Sequence, residues 1–139
     1  LIMKEDCIFC KIAKGEIHSA TVYEDSHFTV ILDVNPATKG HCLIIPKEHF
    51  DNIYDLDGET AGKLFALATC IARAMRDALK CDGLNLVQNN GEIAGQTVNH
   101  FHLHLIPRYE GDGLNLNWPQ QEISGEQLEE IRQSIKKSI

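Results

Sequence analysis

Apolar and polar residues alternate in the first third of the chain in a way that predicts three strands. Residues 20–23 are strand-like, residues 24–26 have the composition of a turn, and residues 27–32 alternate and are rich in β-branched side chains. These two runs predict a hairpin. A loop over residues 33–40, with a proline and a glycine, leads to an apolar strand over residues 41–45 that ends at a proline.

The middle of the chain changes to a helical period. From residue 57 or 60 to about residue 79, apolar side chains recur every three or four positions and predict one amphipathic helix. They are Leu64, Phe65, Ala68, Ile71, Ala72, Met75 and Leu79. Residues 84–88 and 98–106 then predict two more strands, joined by a glycine-containing loop. After a glycine- and asparagine-rich stretch, residues 127–139 carry one apolar stripe that predicts a short peripheral helix.

Three strands, one long helix and two further strands predict an α+β fold with a mainly antiparallel five-stranded sheet. A length of 139 residues fits one domain. We expect that domain over residues 3–139, with a core at about residues 6–110 and a tail over residues 111–139. Leu1 and Ile2 precede Met3 and are left out of the fold prediction.

Composition and charge narrow the class of protein. The chain is 43% hydrophobic and 24% charged, which is ordinary for a globular protein. Its 13 Lys and Arg against 20 Asp and Glu give a net charge of −7, which disfavours binding to nucleic acid or to an acidic membrane surface. The apolar runs, such as residues 42–45, fall far short of the ~20 residues that span a bilayer.

The cysteines predict a reducing environment. Their number, five, is odd, and the N-terminus does not have the pattern of a signal peptide, so we expect no disulfide framework and a cytoplasmic location. Cys7 and Cys10 are spaced as a chelating pair. Cys42, Cys70 and Cys81 lie in apolar contexts and are expected to be small buried side chains.

The segment over residues 100–105 carries the most specific chemistry. His100, His102 and His104 alternate with apolar residues, so on a strand they would share one face along ~13 Å, at about 3.3 Å per residue. The apolar residues between and after them are expected to point into the core: Phe101, Leu103 and Leu105. Three imidazoles on one face of a rigid strand predict a functional site.

Two chemistries suit such a face. Histidines at i and i+2 can bind one Zn²⁺ through neutral nitrogens and leave a position open for activated water. Alternatively, a neutral imidazole with a pKa near its usual value of about 6.5 can attack phosphorus, while its neighbours stabilise the charge on the oxyanion. The histidine pattern alone leaves both chemistries open.

The surrounding segments resemble the histidine triad (HIT) superfamily, and in particular bacterial zinc-containing members of its Hint-like branch. The resemblance covers nearly the whole chain and weakens in about the last 20 residues. It rests on the alternating histidines and on residues 6–12, 22–25, 35–41, 46–49, Asn89 and 95–97.

The resemblance implies roles for the catalytic residues. His102 would be the nucleophile and would form a nucleotidyl-phosphohistidine intermediate. His104 and His41 would bracket the transferred phosphate and stabilise its developing charge. Thr97 would assist the leaving group through its hydroxyl.

The resemblance also implies a nucleotide site. Gln96 and Asn89 match the phosphate and ribose-side contacts, and Asp33 matches the acid that accepts hydrogen bonds from both ribose hydroxyls. Taken alone, Asp33 is equally typical of a turn. The apolar base pocket would comprise Ile8, Phe9, Ile12, Ile31 and Val34.

A structural zinc is implied at a second site. By the resemblance, its ligands are Cys7, Cys10, His49 and His100, a closed tetrahedral set that cannot activate water. His100 would then serve structure and leave His102 free as the nucleophile. The remaining histidines outside these sites, His18 and His27, are expected to be exposed.

The function that this implies is hydrolysis or nucleotidyl transfer at the α-phosphate of purine ribonucleotide conjugates, of the phosphoramidate type, without a Mg²⁺ requirement. The protein would be a homodimer that pairs through the helix over residues 59–79. Three alternatives stay open: a dinucleoside polyphosphate hydrolase, a nucleotide sensor or scaffold with incidental turnover, and a zinc hydrolase with its metal on His100, His102 and His104.

Overall fold

A five-stranded antiparallel sheet organises the protein. The computed structural model describes residues 3–139, so Leu1 and Ile2 lie outside the described residues. The strands are β1 Thr21–Glu24, β2 Phe28–Leu32, β3 Cys42–Pro46, β4 Gly83–Val87 and β5 Leu103–Arg108. Their spatial order is β1-β2-β3-β5-β4, and every neighbouring pair is antiparallel. The predicted α+β class and the five-stranded sheet are confirmed.

Three helices accompany the sheet: α1 Ile8–Ala13, α2 Gly58–Leu79 and α3 Gly125–Ser138. A short 3₁₀ turn at Glu92–Ala94 lies in the loop before β5. The helix α1 is absent from the sequence prediction because six residues are too few to show a helical period. No helix within residues 3–139 is long and apolar enough to cross a membrane.

The long helix α2 forms where the periodicity predicts it. Asp57 caps its N-terminus by accepting a hydrogen bond from the backbone N–H of Thr60 at 2.8 Å, and Lys80 ends it in the left-handed conformation, with a φ of 54°. Its buried face consists of Leu64, Ala68, Ile71 and Met75. The prediction was wrong for Phe65, which is 54% exposed, because it lies about 100° around the helix from Leu64.

The central strand β3 is covered on both faces. Cys42 and Ile44 pack toward α2, in the core that also contains Phe101, Leu103 and Leu105. Leu43 and Ile45 lie on the other face, in a smaller cluster with Phe9 of α1 and Ile31. Because Leu43 is the cross-strand partner of His104, the histidine face of β5 is the face that α1 covers.

The last predicted strand begins later than expected. Residues 98–102 are not part of the sheet, and β5 starts at Leu103. The chain before it is held by other bonds: the Phe101 N–H donates to the carbonyl of Phe50 at 2.6 Å, and the His100 ring donates to the carbonyl of Pro46 at 2.8 Å. The alternation continues through this segment, so Phe101 still reaches the core.

The cysteine predictions hold in part. All five cysteines are free. Cys42 is buried, and that burial raises the pKa of its thiol to about 11. Cys81 is half-buried. The prediction was wrong for Cys70, which is exposed because it lies on the outward side of α2, next to the buried Ile71.

The C-terminal helix α3 lies at the periphery. Ser124 and Gln127 form a capping box, in which each side chain bonds the other's backbone N–H, so the helix begins slightly before the predicted start. None of its residues is buried, and its apolar stripe of Leu128, Ile131 and Ile135 is exposed.

Candidate active site and metal cluster

Four side chains from three parts of the chain converge beside the N-terminus of α1. Cys7 caps α1 and Cys10 lies in its first turn, His49 follows β3, and His100 precedes β5. One sulfur or nitrogen atom of each lies within 4.8 Å of the others. The structure therefore brings together all four residues that the sequence predicts as metal ligands.

The separations within this cluster fit a tetrahedral ion. The Sγ of Cys10 is 3.3 Å from the Nδ1 of His49, and the Sγ of Cys7 is 3.4 Å from the Nδ1 of His100. Bonds of about 2.3 Å to sulfur and about 2.0–2.1 Å to nitrogen place tetrahedral ligand atoms about 3.3–3.8 Å apart, and a sulfur–nitrogen pair about 3.5 Å apart. These two separations match that spacing, and the Nδ1 atoms of His49 and His100, 3.1 Å apart, are slightly closer.

The tautomers of the two histidines also fit a metal. The Nε2 of His100 donates to the carbonyl of Pro46 at 2.8 Å, and the Nε2 of His49 donates to the carboxylate of Asp51 at 2.7 Å. In the neutral rings each Nδ1 therefore carries a lone pair, and the two Nδ1 atoms lie 3.1 Å apart. A cation bound between them would relieve this repulsion, and the bonds from Nε2 are those of metal-ligating histidines.

Burial keeps the cluster histidine His100 neutral. Loss of solvent lowers its pKa to about 4, which outweighs the opposing effect of the bond to Pro46. A neutral imidazole is the form that binds a metal. Burial raises the pKa of the Cys10 thiol, and the backbone N–H of Lys4, 3.4 Å from its sulfur, opposes that effect by stabilising the thiolate.

The next histidine, His102, is held in the opposite tautomer. Its Nδ1 donates to the carbonyl oxygen of His100 at 2.6 Å, so its Nε2 carries the lone pair. The ring is buried, and loss of solvent lowers its pKa below the usual value. His102 is thus a neutral imidazole whose free nitrogen has the electron pair that a nucleophile needs.

His41 and His104 form a hydrogen-bonded pair with a defined direction. The backbone N–H of Ala37 donates to the Nδ1 of His41 at 3.0 Å, which leaves the proton of His41 on its Nε2. That Nε2 donates to the Nδ1 of His104 at 2.9 Å. His104 therefore carries its own proton on Nε2 and presents a donor. Burial lowers the pKa of both rings, for His104 to about 4.

A second group of possible metal ligands, also within 4.8 Å of one another, consists of Asp33, His41 and His104. It differs from the metal cluster in the position of the ring protons. In this group a proton lies between the two facing nitrogens, because Ala37 fixes the tautomer of His41. The arrangement is a hydrogen-bond relay. The carboxylate of Asp33 is 3.8 Å from the Nε2 of His41, and its other oxygen accepts from the backbone N–H of Asn35 at 2.9 Å.

The three alternating histidines do not converge on one point. The Nδ1 of His100 faces the cysteines, while the ring of His102 bonds back to the main chain and lies with its centroid 4.9 Å from that of His104. This geometry disfavours the alternative of a catalytic zinc on all three rings, because His100 is directed to the other cluster.

The loop before β5 is organised by Gln96. Its side chain is only 7% exposed, its Oε1 accepts from the Gly91 N–H at 2.8 Å, and its Nε2 donates to the carbonyls of Asp51 and Val98 at 2.6 and 3.0 Å. The side chain of Gln96, which the sequence predicts to contact the phosphate, therefore hydrogen-bonds to backbone groups in this structure. Thr97 beside it is exposed.

Of the other residues predicted to contact the nucleotide, some lie together in the structure and some do not. Asn89 is half-buried and its amide lies against Gly95, which has a φ of 96°. Of the base-pocket candidates, Phe9 and Ile31 are buried in one cluster and Ile12 packs against it. Two candidates are outside that cluster and exposed, Ile8 at 48% and Val34 at 84%.

Several partners of these side chains were missed from the sequence. They are the backbone groups of Ala37, Pro46 and His100 and the carboxylate of Asp51. A backbone donor or acceptor has no signature in the sequence. Asp51 could have been found, because an acid two residues after a candidate histidine ligand is in reach of its second nitrogen.

The fold and the two histidine clusters define a small α+β protein with a neutral, oriented imidazole next to a Cys₂His₂ site. The family model described as the HIT domain matches residues 14–111. The chain belongs to the HIT family, which confirms the resemblance seen in the sequence.

Individual proteins of known structure or activity are also similar to this chain. The crystal structure of a HIT family member from Bacillus subtilis is 48% identical, with a TM-score of 0.92, over 97% of this chain and 98% of that chain. The adenosine 5′-monophosphoramidase of Saccharomyces cerevisiae is 42% identical over 93% of this chain and 80% of its own length. A Zn-bound histidine triad protein from Mycobacterium smegmatis is 40% identical, with a TM-score of 0.76, over 96% and 98% of the two chains.

Proposed function

We propose that this protein is a nucleotide hydrolase or nucleotidyltransferase that cleaves purine ribonucleotide conjugates, of the phosphoramidate type, at the α-phosphate. The observation that carries the proposal is the tautomer of His102, whose Nδ1 proton is held by the His100 carbonyl and whose Nε2 is free. A relative that is 42% identical and named an adenosine 5′-monophosphoramidase supports this substrate class.

The proposed reaction has two steps. In the first, the Nε2 lone pair of His102 forms a bond to the α-phosphorus while the bond to the leaving amine breaks, and the amine takes up a proton from solvent as it departs. In the second, water attacks the phosphorus, the bond to Nε2 breaks, and the water proton is released. The products are the nucleoside monophosphate and the free amine, and His102 returns to its neutral form.

The His104 donor supports this chemistry electrostatically. Its Nε2–H is fixed by the bond from His41 to its Nδ1, so the donor is set before a substrate binds. A preorganised donor stabilises charge that develops on the phosphoryl oxygens in the transition state. Thr97, exposed beside Gln96, would supply a hydroxyl to the leaving group, and Asp33 would accept from the ribose hydroxyls.

For the metal cluster, we propose one structural zinc on Cys7, Cys10, His49 and His100. The ligand separations and the facing Nδ1 lone pairs support it, as does the Zn-bound relative from Mycobacterium smegmatis. Bound there, zinc would hold α1 to the segment before β5. The two thiols must stay reduced to bind, so we propose a location in the reducing cytoplasm.

The organisation of the whole chain is also a proposal. We propose one HIT domain over residues 3–139, with residues 111–139 as its tail, and a homodimer that pairs through α2. Phe65, 54% exposed on the outward side of α2, is a side chain that this contact would bury.

Comparing turnover of an adenosine phosphoramidate with that of a diadenosine tetraphosphate tests the reaction class. We expect kcat/KM to be higher for the phosphoramidate by at least about tenfold, which is about 1.4 kcal/mol of transition-state stabilisation. The reverse order would identify a dinucleoside polyphosphate hydrolase. Tight AMP binding without turnover of either compound would identify a nucleotide sensor.

A further inference from the structure

Phe9 occupies a position between the two clusters. It is the second residue of α1 and lies in the sequence between Cys7 and Cys10, which both belong to the metal cluster. Its side chain is 8% exposed. The ring meets that of His102 edge to face, with centroids 4.9 Å apart and planes at 79°, and meets that of His100 at 5.9 Å and 83°.

A nucleophilic imidazole needs its plane fixed as well as its tautomer. The bond from the Nδ1 of His102 to the His100 carbonyl fixes the direction of one nitrogen. The torsion that rotates a histidine ring is broad, so one hydrogen bond leaves the ring free to tilt about that bond. A tilt moves the Nε2 on the far side of the ring away from the line of attack. The edge-to-face contact with Phe9 opposes that tilt, alongside the contact with the His104 ring at 4.9 Å and 64°.

We propose that Phe9 is a positioning residue that sets the plane of the His102 ring. The proposal rests on the proposed function, in which His102 is the nucleophile. It also links the two clusters. Two contacts of the His102 ring come from metal-cluster elements, the carbonyl from the ligand His100 and the aromatic ring from the helix that Cys7 and Cys10 hold. The third, from the ring of His104, comes from β5.

This role differs from a contact with the purine base, and the two predict different kinetics. A base contact acts on the bound substrate and the transition state alike, so its loss raises KM and leaves kcat unchanged. A positioning contact acts on the attacking nitrogen, so its loss lowers kcat and the rate at which the nucleotidyl-histidine forms.

The test uses the metal-loaded protein and two substitutions that differ in aromaticity. Phe9→Leu removes the ring, while Phe9→Tyr retains it. We expect Phe9→Leu to lower kcat and the single-turnover rate by about three- to tenfold, a change of the size that one edge-to-face contact supplies. KM and the calorimetric Kd for AMP should stay within about twofold, and Phe9→Tyr should restore kcat. If Phe9→Leu does not melt cooperatively, Phe9→Met, also without a ring, takes its place.

A matched control separates positioning from general packing. Ile45 is buried in the same apolar cluster as Phe9, so Ile45→Val should lower the melting temperature slightly and leave kcat unchanged. A Phe9→Leu protein with raised KM and Kd and native kcat would overturn the proposal in favour of a base contact, and native kcat, KM and Kd together would also overturn it. A wild-type protein without turnover of any nucleotide conjugate would instead reject the proposed function itself.

Discussion

The carbonyl of His100 accepts the Nδ1 proton of His102 at 2.6 Å, and this bond joins the metal cluster to the ring of His102. The side chain of His100 faces the cysteines and its main chain faces His102, so a single residue belongs to both sites. Loss of order at the metal cluster would therefore reach the Nδ1 of His102, and the nitrogen proposed to attack phosphorus is the Nε2 of the same ring.

The cysteines of the cluster should matter for stability, whereas an exposed cysteine should not. Cys10→Ser is expected to lower the melting temperature by about 10 °C or more, because a structural metal contributes folding free energy of several kcal/mol. Differential scanning calorimetry measures this. The control is Cys70→Ser, at an exposed position of α2, which should melt within about 2 °C of wild type. Equal melting temperatures for the two variants would show that the cluster does not hold a structural metal.

Asp51 is expected to tune metal affinity without being a ligand. Its carboxylate accepts the Nε2 proton of His49 at 2.7 Å, and loss of such a bond typically weakens metal binding about 10- to 100-fold. Competition with a chromophoric chelator should show this for Asp51→Ala. Asp77→Ala, at an exposed site on α2, should bind metal as wild type does. Equal metal affinities in both variants would reject a supporting role for Asp51.

Asp33 should determine the preference for ribonucleotides. One carboxylate oxygen is bonded to the Asn35 N–H, and a charged acceptor of this kind is worth roughly 1.5–3 kcal/mol per bond to a ribose hydroxyl. We expect wild-type kcat/KM to favour an AMP phosphoramidate over the dAMP compound by about 10- to 100-fold, and Asp33→Ala to erase most of that preference. Asp33→Asn keeps the turn and loses the charge, so it should show an intermediate preference.

The four rates for two substrates and two proteins form a cycle that isolates the coupling between Asp33 and the 2′-hydroxyl. Equal wild-type rates on the ribo and deoxy substrates would show that Asp33 does not bind the ribose and serves only as a turn residue.

The burial of His104 should make the protein less stable in mild acid. Loss of solvent lowers the pKa of its imidazole to about 4 in the folded state, against about 6.5 when unfolded. Between these values the unfolded chain binds more protons, so the free energy of unfolding should fall as the pH drops from about 6.5 to about 4, by up to about 1.4 kcal/mol per pH unit for this group. The contribution is fully present above pH 6.5.

Urea unfolding at several pH values measures this dependence. His104→Asn should show a shallower slope than wild type between pH 6.5 and 4. Identical slopes in the two proteins would mean that His104 is not held neutral by the fold.

Much of the fold follows from periodicity, because a strand repeats every two residues and a helix every 3.6. The long helix, the hairpin and the core positions of Phe101, Leu103 and Leu105 could be predicted in this way. Phe65 was assigned to the buried face of its helix because the sequence does not show which of two neighbouring apolar residues, here Leu64 and Phe65, lies within that face. Only packing decides which one is buried.

The convergence of the four cluster residues could also be predicted, but only from the family resemblance. The tautomers could not be predicted, because they depend on the Ala37 N–H and on the carbonyls of Pro46 and His100. These backbone groups are present at almost every residue, so their placement becomes known only from the structure. The contact between Phe9 and His102 likewise depends on α1, which is too short to predict.

The proposed role of His102 is tested most directly by the turnover of His102→Ala on an adenosine phosphoramidate, measured together with its AMP affinity. We expect turnover to fall below a few per cent of the wild-type rate while the Kd for AMP changes by no more than a few fold, because the nucleophile is removed and the pocket remains. His27→Ala, at an exposed histidine, should retain wild-type turnover. A folded His102→Ala protein that keeps more than a few per cent of the wild-type rate would contradict the assignment of His102 as the nucleophile.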